Sequence, residues 1–202
     1  DLPATDYRFK PDTETVLSRQ LAFGYSIEDL KFVIAPMVGT ATEATGSMGN
    51  DTPLAVLSQK SQLLFNYFKQ LFAQVPTPAI DSIREELVMS MEVTLGKERN
   101  LIAESPEHCR KLKVEHPILT GDEMEKIRNL NQTDLKTVVM PMLFPVSEGQ
   151  AGLETALDKL CQQASQAIED GGTILVLSDK GMDENHVPIP SLLATAGVHH
   201  HL

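Results

Sequence analysis

The stretch GQAGLETALDKLCQQASQAIEDGGTILVL, residues 149–177, decides the fold class of this chain. Leucine, alanine and isoleucine recur at helical spacing through residue 168, and Gly171 and Gly172 then supply a stop signal. Residues 173–177 form a short apolar run, which is typical of a strand buried on both faces of a parallel sheet. A helix, a glycine stop and an apolar strand predict an α/β unit.

The segments on either side of this stretch extend the same pattern. Residues 138–144 are mostly apolar and predict a strand, in which Pro141 requires an edge position or a bulge. Beyond the polar residues that follow position 177, a final helix is predicted from Ser191 to Leu202. The carboxyl-terminal third is therefore predicted to alternate strand, helix, strand and helix.

Three polar residues, Ser178, Asp179 and Lys180, follow the apolar strand directly. The carboxyl ends of parallel strands are where α/β folds place ligands and catalytic groups. No nucleophile-elbow pattern or second carboxylate can be assigned beside them, so we expect Asp179 to cap the next turn. An independent enzyme centred on Asp179 is an alternative, and it requires a concave pocket with perturbed titrating groups.

The amino-terminal half is predicted to be rich in helices. Phenylalanines and tyrosines at helical spacing in residues 61–75 predict core packing for Phe65, Tyr67, Phe68 and Phe72. The predicted helices run from Thr13 or Thr15 to Gly24, from Ser26 to Pro36, over residues 61–75, from Asp81 through Met91, from Ser105 through Leu112, and from Thr120 through Leu130. Thr120 and Glu123 are predicted to form a capping box at the start of the last of these helices.

A shaped turn, TGSMGNDT, interrupts these helices at residues 45–52. Gly46 and Gly49 permit positive φ, and Asn50 and Asp51 can hydrogen-bond their own backbone. Successive N–H groups in such a turn often point into one concavity, which can hold an anion, a carbonyl or a carboxylate. A purely structural turn is the plainer interpretation. A stand-alone α/β module that binds a small anion at this turn is an alternative function.

Composition excludes several classes of protein. The 202 residues are 42% hydrophobic, and 28 acidic against 17 basic residues give a net charge of -11, which argues against nucleic acid or an anionic membrane as partner. The only two cysteines, Cys109 and Cys161, are far apart, which favours free thiols in a reducing compartment and predicts a cytoplasmic location. No apolar run reaches the length of a membrane span.

Residue groups that suggest catalysis or metal binding have plainer explanations. His199, His200 and His201 are consecutive, so they fan around a helix and cannot all face one ion. Cys109 follows His108 directly, and neighbouring helical side chains diverge, which favours a structural thiol. The adjacent carboxylates at positions 85 and 86 diverge in the same way and predict a solvated face. We therefore expect no catalytic, cofactor-binding or metal-ligating residue in this chain.

Five collinear stretches resemble the central domain of the large chain of glutamate synthase. The resemblance covers nearly the whole chain and is weakest at residues 1–11 and 97–142. The stretches are SRQLAFGYSIEDLKFVIAPM at 18–37, TGSMGNDTPLAVLS at 45–58, LLFNYFKQLFAQVPTPAIDSIREELVMSM at 63–91, EGQAGLETALDKLCQQASQAIEDGGTILVLSDKG at 148–181, and IPSLLATAGVHHHL at 189–202.

The resemblance implies an α/β fold of a particular kind and a role inside a larger enzyme. The fold expected is an incomplete, rudimentary β/α-barrel-like domain with parallel strands and several helices. The parent, an oxidoreductase of ammonia assimilation, makes glutamate from glutamine and 2-oxoglutarate. Its FMN and iron–sulfur cluster are expected outside this chain, and its electrons come from ferredoxin or an NAD(P)H-linked subunit. The location implied is cytoplasmic, or the plastid stroma for a plant or algal parent.

The resemblance also implies where this chain acts. A non-catalytic central domain connects the glutamine amidotransferase domain to the FMN domain and lies beside an ammonia tunnel. Residues 1–202 are expected to be this domain truncated at its carboxyl end and inactive alone, with a helical part at 1–135 and a strand–helix–strand–helix part at 136–202. The candidate tunnel or interdomain contacts are Gly24, Tyr25, Gly46, Ser47, Met48, Gly49, Asn50, Asp51 and Thr52.

Overall fold

The structure is a computed structural model, and it describes residues 2, 4–6, 13–41, 52–69, 83 and 88–202. The chain divides into two compact units, residues 10–85 and residues 1–9 with 86–202. Each unit is described by itself. Helices and a parallel pair of strands occur together, as an α/β chain requires.

Helix α1 of the first unit spans Thr13–Ala22 and ends where the sequence predicts. Gly24 adopts a φ of +74°, a conformation that costs glycine little and other residues much. The Gly24 N–H donates to the Leu21 carbonyl at 3.1 Å, and the Tyr25 N–H donates to the Gln20 carbonyl at 2.9 Å. These two bonds close the last turn of the helix.

The second predicted helix begins as expected and ends later. The Ser26 hydroxyl accepts the Asp29 N–H at 3.1 Å, which confirms the predicted cap. The prediction that Pro36 ends the helix is wrong, because Asp29–Ile34 form a π-helix and α2 continues over Ala35–Thr40. Proline lacks an N–H and crowds the carbonyl one turn earlier, and the wider π turn before it accommodates both effects.

Helix α3 covers Leu64–Tyr67, much less than the residue 61–75 helix predicted from sequence. Phe65 and Tyr67 are about half exposed and Phe68 is 71% exposed, so predicted core packing is wrong for these three rings. One helical turn cannot present a continuous apolar stripe. Residues 70–75, including Phe72, lie outside the described residues. Of the helix predicted from Asp81, residues 83 and 88 are helical, and Met91 lies beyond its end.

Strands β1 (Val93–Leu95) and β2 (Leu112–Val114) form an antiparallel pair in the carboxyl-terminal unit. The helix predicted from Ser105 through Leu112 is wrong, because Pro106–Cys109 form a single 3-10 turn and the chain is then extended. Leu112 and Val114 alternate with the exposed Lys113, which is the period of a strand. Pairing with β1 overrides the local helix signal.

Helix α4 spans Gly121–Arg128 and has the predicted capping box. The Glu123 carboxylate accepts the Thr120 N–H at 2.7 Å, while the Thr120 hydroxyl accepts the Glu123 N–H at 3.3 Å. Together they satisfy two N–H groups that a helix start leaves without partners. The helix packs its buried Ile127 against the following strands.

A strand–helix–strand unit follows, as predicted. Strand β3 spans Thr137–Pro141, and a second short strand, β4, covers Leu143–Pro145. The chain then enters the 21-residue helix α5, Gly149–Glu169. The helix stops at Gly171, whose φ is +85°. Strand β5 (Ile174–Ser178) then pairs with β3 in parallel.

Met142 separates β3 from β4, and the two strands have different partners. β3 pairs with β5, whereas β4 pairs antiparallel with β6, His186–Pro188. Pro141 ends β3, which lies at an edge of the two-stranded β3–β5 sheet, and this agrees with the edge position that was one of the two predicted alternatives. Helix α6 then spans Ser191–His201. A Cβ on Gly197 would lie 2.9 Å from Leu157 Cδ1, so α5 and α6 are closely packed.

Two hydrophobic cores cover opposite faces of the β3–β5 pair, which confirms the prediction for β5. Its Leu175 and Leu177 pack on the core formed with α5 and α6, and Ile174 and Val176 pack on the core formed with α4. Parallel strands with both faces covered are typical of α/β proteins. The barrel-like arrangement beyond this pair stays a prediction.

Candidate functional site

The Gly24–Tyr25 turn is the part of the predicted contact site that the structure describes best. A Cβ on Gly24 would lie 2.0 Å from Leu63 Cδ1, so a side chain there would displace Leu63, and the φ of +74° disfavours any residue but glycine. Tyr25 is 48% exposed. The closed backbone turn therefore presents an aromatic ring on the surface of residues 10–85.

A negative charge is fixed next to this turn. The Asp29 carboxylate accepts hydrogen bonds from the backbone N–H and from the hydroxyl of Ser26, both at 2.9 Å. These bonds, the backbone one most strongly, lower the pKa of Asp29, and the positive charge of Lys69 acts in the same direction. The carboxylate is ionised at neutral pH and is held in one orientation.

The rest of the predicted site cannot be assembled from the described residues. Thr52 is described and exposed. The other predicted contacts lie outside the described residues: Gly46, Ser47, Met48, Gly49, Asn50 and Asp51. The site therefore stays a prediction from the sequence.

The polar residues after β5 have structural partners. Ser178 is 7% exposed, its hydroxyl accepts the Lys180 N–H at 3.3 Å, and its carbonyl accepts the Met142 N–H at 2.9 Å. The turn-capping role expected of Asp179 belongs to Asp183, whose Oδ1 accepts the N–H groups of Asn185 at 2.8 Å and His186 at 2.7 Å. These bonds and the His186 ring lower the pKa of Asp183.

The histidines and cysteines do not converge on a common point. His201 Nε2 lies 2.9 Å from Ser165 Oγ on α5, and the rings of His199 and His200 contact each other edge to face. His108 Nε2 hydrogen-bonds the Ala103 carbonyl at 2.8 Å. Within the ranges that the structure describes, no group of three or more His, Cys, Asp or Glu side chains could hold a metal ion. Residues 85 and 86 lie outside those ranges.

A cavity of about 490 Å³ in the carboxyl-terminal unit was not predicted from the sequence. It lies between β2, the loop after it and α4, and Lys113 and Glu123 contribute to its polar edge. Its apolar lining comes from Leu2, Leu112, Val114, Ile118, Leu119 and Ile127. The alternation of Leu112 and Val114 with Lys113 could have indicated the strand that lines this cavity. The incorrect prediction of a helix through Leu112 obscured that pattern.

Comparison with known proteins assigns the chain to a family. The family model described as glutamate synthase central domain matches residues 18–202. This chain belongs to that family. The resemblance noted in the sequence is thereby confirmed. The helices in the described part of this central domain are too short or too polar to span a membrane.

Relatives of the central domain include enzymes named for three electron donors. The chain is 46% identical over 194 residues to the chloroplastic ferredoxin-dependent glutamate synthase of Oryza sativa subsp. japonica, and 42% identical over 200 residues to the NADPH glutamate synthase large chain of Bacillus subtilis. It is 41% identical over 184 residues to the NADH glutamate synthase of Schizosaccharomyces pombe. The matches cover 95%, 99% and 90% of this chain but only 12%, 13% and 9% of the relatives.

Proposed function

We propose that this chain is the non-catalytic central part of a glutamate synthase that makes glutamate from glutamine and 2-oxoglutarate. The carrying observation is the family match over residues 18–202. Relatives named for ferredoxin, NADPH and NADH share the segment at 41–46% identity. A segment common to enzymes with different electron donors is suited to a task that does not depend on the donor.

The proposed task is to connect a glutamine amidotransferase domain to an FMN-containing synthase domain. Three features of the described residues support a connecting role. The buried Ser178 hydroxyl accepts the Lys180 N–H, and His108 hydrogen-bonds a backbone carbonyl. His201 lies within hydrogen-bond distance of the Ser165 hydroxyl. The Ser165–His201 pair has the distance of a nucleophile and its base, but it is exposed, and no third side chain among the described residues orients the His201 ring.

The part of the chain that the structure describes does not supply the ligands expected for the cofactors of the parent enzyme. An iron–sulfur cluster usually requires four cysteine ligands, and the chain has two. Cys109 is exposed, whereas Cys161 packs against the α5–α6 core. At the carboxyl end of β5, where an α/β fold would place a flavin phosphate, Ser178 is buried and only 7% exposed. The FMN and cluster of the parent therefore belong to other parts of the polypeptide in this proposal.

We place the tunnel or interdomain contacts at the residue 46–52 turn, and in second place at Gly24 and Tyr25. Support comes from the closed Gly24 turn with its exposed tyrosine and from the exposed Thr52. Backbone shaped by glycine suits a loop that contacts a neighbouring domain and changes conformation with it.

The test uses the full-length enzyme with Gly46→Val or Gly49→Val. The sequence predicts that both glycines permit positive φ, which a β-branched side chain tolerates poorly, so we expect valine to change the shape of the turn. We expect glutamine hydrolysis and reductive conversion of 2-oxoglutarate each to continue while the ratio of glutamine hydrolysed to 2-oxoglutarate consumed rises by about 3-fold or more. The matched control is Gly39→Val, because Gly39 is helical and a Cβ there meets nothing within 4 Å. An unchanged ratio in all three variants would leave the turn with a structural role only.

A further inference from the structure

The loop between β1 and β2, residues 96–111, carries two apolar side chains in water. Leu101 is 84% exposed and Ile102 is 95% exposed, the highest fraction among the large apolar side chains that the structure describes. Apolar residues exposed singly are normal on a protein surface. An adjacent pair at almost full exposure favours contact with another surface. We call Leu101 and Ile102 the loop tip.

The backbone of the loop tip has a defined shape. The Asn100 side-chain oxygen accepts the Ile102 N–H at 3.1 Å, and the Asn100 carbonyl accepts the Ala103 N–H at 3.0 Å. His108 Nε2 lies 2.8 Å from the Ala103 carbonyl oxygen on the other side of the turn. Asparagine that bonds the backbone two residues ahead is a common way to fix a turn. The two apolar side chains are therefore presented by a shaped turn.

Ion pairs join the two arms of the loop below its tip. Lys111 Nζ lies 2.6 Å from Glu98 Oε1, and the Asp134 carboxylate pairs with Arg99 at 3.4 Å and with Arg110 at 2.8 Å. Single surface ion pairs contribute little to stability, but several pairs that share a partner restrict the positions that a loop can take. This order, present before binding, lowers the entropy cost of a contact at the loop tip.

The charges of the loop do not select a strongly charged partner. Residues 97–111 contain four lysines and arginines against three glutamates, although the whole chain has a net charge of -11. An apolar centre with charged groups of both signs around it is the usual composition of a small contact surface. The two apolar side chains therefore determine what the loop binds, and an apolar pocket is the surface that fits them.

The size of the loop tip favours a partner that is linked to the chain. Burial of one leucine or isoleucine side chain removes roughly 100 Å² of apolar surface from water, so the pair offers on the order of 200 Å². A stable contact between separate proteins needs about 1,200 Å² or more. Within one polypeptide a smaller contact suffices, because the linkage gives the two surfaces a high effective concentration. The chain covers only 12% of the rice enzyme and 13% of the Bacillus enzyme.

We propose that the loop tip enters an apolar pocket on another domain of the same longer polypeptide and holds that domain against residues 86–202. The proposal rests on the proposed function in one respect, namely that this chain is part of a longer polypeptide. The contact is separate from the one proposed at the residue 46–52 turn. Its apolar side chains and its shaped turn are both present in the chain before the second domain binds.

Thiol labelling at the loop tip tests the proposal. Ile102→Cys is made together with Cys109→Ser, so that the tryptic peptide between Arg99 and Arg110 reports a single thiol by mass spectrometry. We expect a maleimide to label this thiol on the order of 10-fold more slowly in the native full-length enzyme than in the 202-residue chain. Both proteins should label equally in concentrated urea, which is the control. Equal labelling under native conditions would overturn the proposal.

Charged substitutions show whether the contact depends on the loop tip. Ile102→Asp should leave the urea midpoint of the 202-residue chain unchanged, because the side chain is already in water. In the full-length enzyme it should speed tryptic cleavage after Arg99 and Arg110 by about 10-fold, since the loop is released from its pocket. Ile118→Asp is the matched control, because Ile118 is 87% exposed, and cleavage should stay within about 2-fold of wild type. Equal acceleration by both variants, or none by Ile102→Asp, would contradict the proposal.

The outcomes also separate this proposal from the proposed function. If the Ile102→Cys thiol labels equally in both proteins while Gly46→Val uncouples the enzyme, the loop-tip proposal fails alone. If labelling is slowed while Gly46→Val has no effect, the tunnel-contact proposal fails alone. Labelling of the 202-residue chain that slows as its concentration rises would identify a second copy as the partner, and would overturn the proposal of a pocket in the same polypeptide.

Discussion

Residues 10–85 and residues 86–202 differ in how completely they bury their apolar side chains. In the carboxyl-terminal unit, Leu160, Ala164 and Ala194 are at most 1% exposed, and two cores enclose the β3–β5 pair. In the other unit none of the described side chains is buried, and Leu17 and Leu57 are 60% and 72% exposed. Both units contain well-formed helix starts and stops.

The difference teaches that correct local signals do not by themselves make a core. The Ser26 cap and the Gly24 stop define helices in residues 10–85 as clearly as Thr120 and Gly171 do further on. Most helical stability comes from packing of the apolar face. We therefore expect the stability of the isolated chain to reside in residues 86–202. Residues 10–85 have apolar surface available for contacts with the rest of a longer polypeptide.

The largest expected effect that would sharpen this comparison comes from Leu160→Ala. Leu160 lies in the middle of α5 and is fully buried, so truncation leaves a cavity and should lower the free energy of unfolding by about 3 kcal/mol. Leu17→Ala in α1 is the matched substitution and should change it by less than about 0.5 kcal/mol. Urea unfolding followed by far-ultraviolet circular dichroism measures both. Similar losses in the two variants would break the comparison.

A smaller effect is expected from the two helix caps. Thr120→Ala removes the hydroxyl that accepts the Glu123 N–H and should cost about 1 kcal/mol in the same urea experiment, since α4 belongs to a core. Ser26→Ala removes the equivalent bond to Asp29 and should leave the main unfolding transition unchanged. It should instead speed amide exchange in residues 29–40. A shift of the main transition by Ser26→Ala would show that residues 10–85 share the cooperative core.

The smallest effect is a pH dependence. Hydrogen bonds from the Thr120 backbone and hydroxyl lower the pKa of Glu123, so the unfolded chain binds the proton more tightly than the folded chain does. The resulting stabilisation is present above the ordinary pKa of glutamate and is lost as the pH falls through the lowered pKa. The difference in unfolding midpoint between wild type and Glu123→Gln should therefore shrink on titration from about pH 6 to pH 3.

Asp29→Asn is the control for that titration. The Ser26 backbone and hydroxyl lower the pKa of Asp29 in the same way, but none of the described side chains in its unit is buried. Its substitution should leave the midpoint of the main transition unchanged at every pH. A constant difference between wild type and Glu123→Gln across the titration would contradict the prediction for Glu123.

Elements with local signals could be predicted from the sequence, and elements defined by distant partners could not. Helices α4, α5 and α6 follow from caps, an apolar stripe and glycine stops, and β5 follows from its apolar run. The β1–β2 pair joins residues about 20 positions apart, and the helix predicted from Ser105 wrongly extended to Leu112 of β2. The change of partner at Met142 depends on β6, which lies more than 40 residues later.

The candidate site shows the same limit. The Gly24 turn was predictable, because its glycine follows a helix and adopts the positive φ that such stops require. The contact of Gly24 with Leu63 was not predictable, because the two residues are 39 positions apart in the sequence. The cavity beside α4 was also missed, because its walls come from a strand, a loop and a helix. The residue 46–51 turn remains a prediction from its sequence and family.

Met142 is hydrogen-bonded on both sides, and this has a consequence for insertions and deletions. Its N–H donates to the Ser178 carbonyl at 2.9 Å, and its carbonyl accepts the Ile189 N–H at 2.8 Å. A shift of one residue would put Pro141, which has no N–H, in the position from which Met142 donates to the Ser178 carbonyl, and would turn every side chain of both strands to the wrong face. Met142 thus fixes the register of both strand pairs, β3–β5 and β4–β6. Length changes are expected to be tolerated in residues 179–185 and not in residues 137–145.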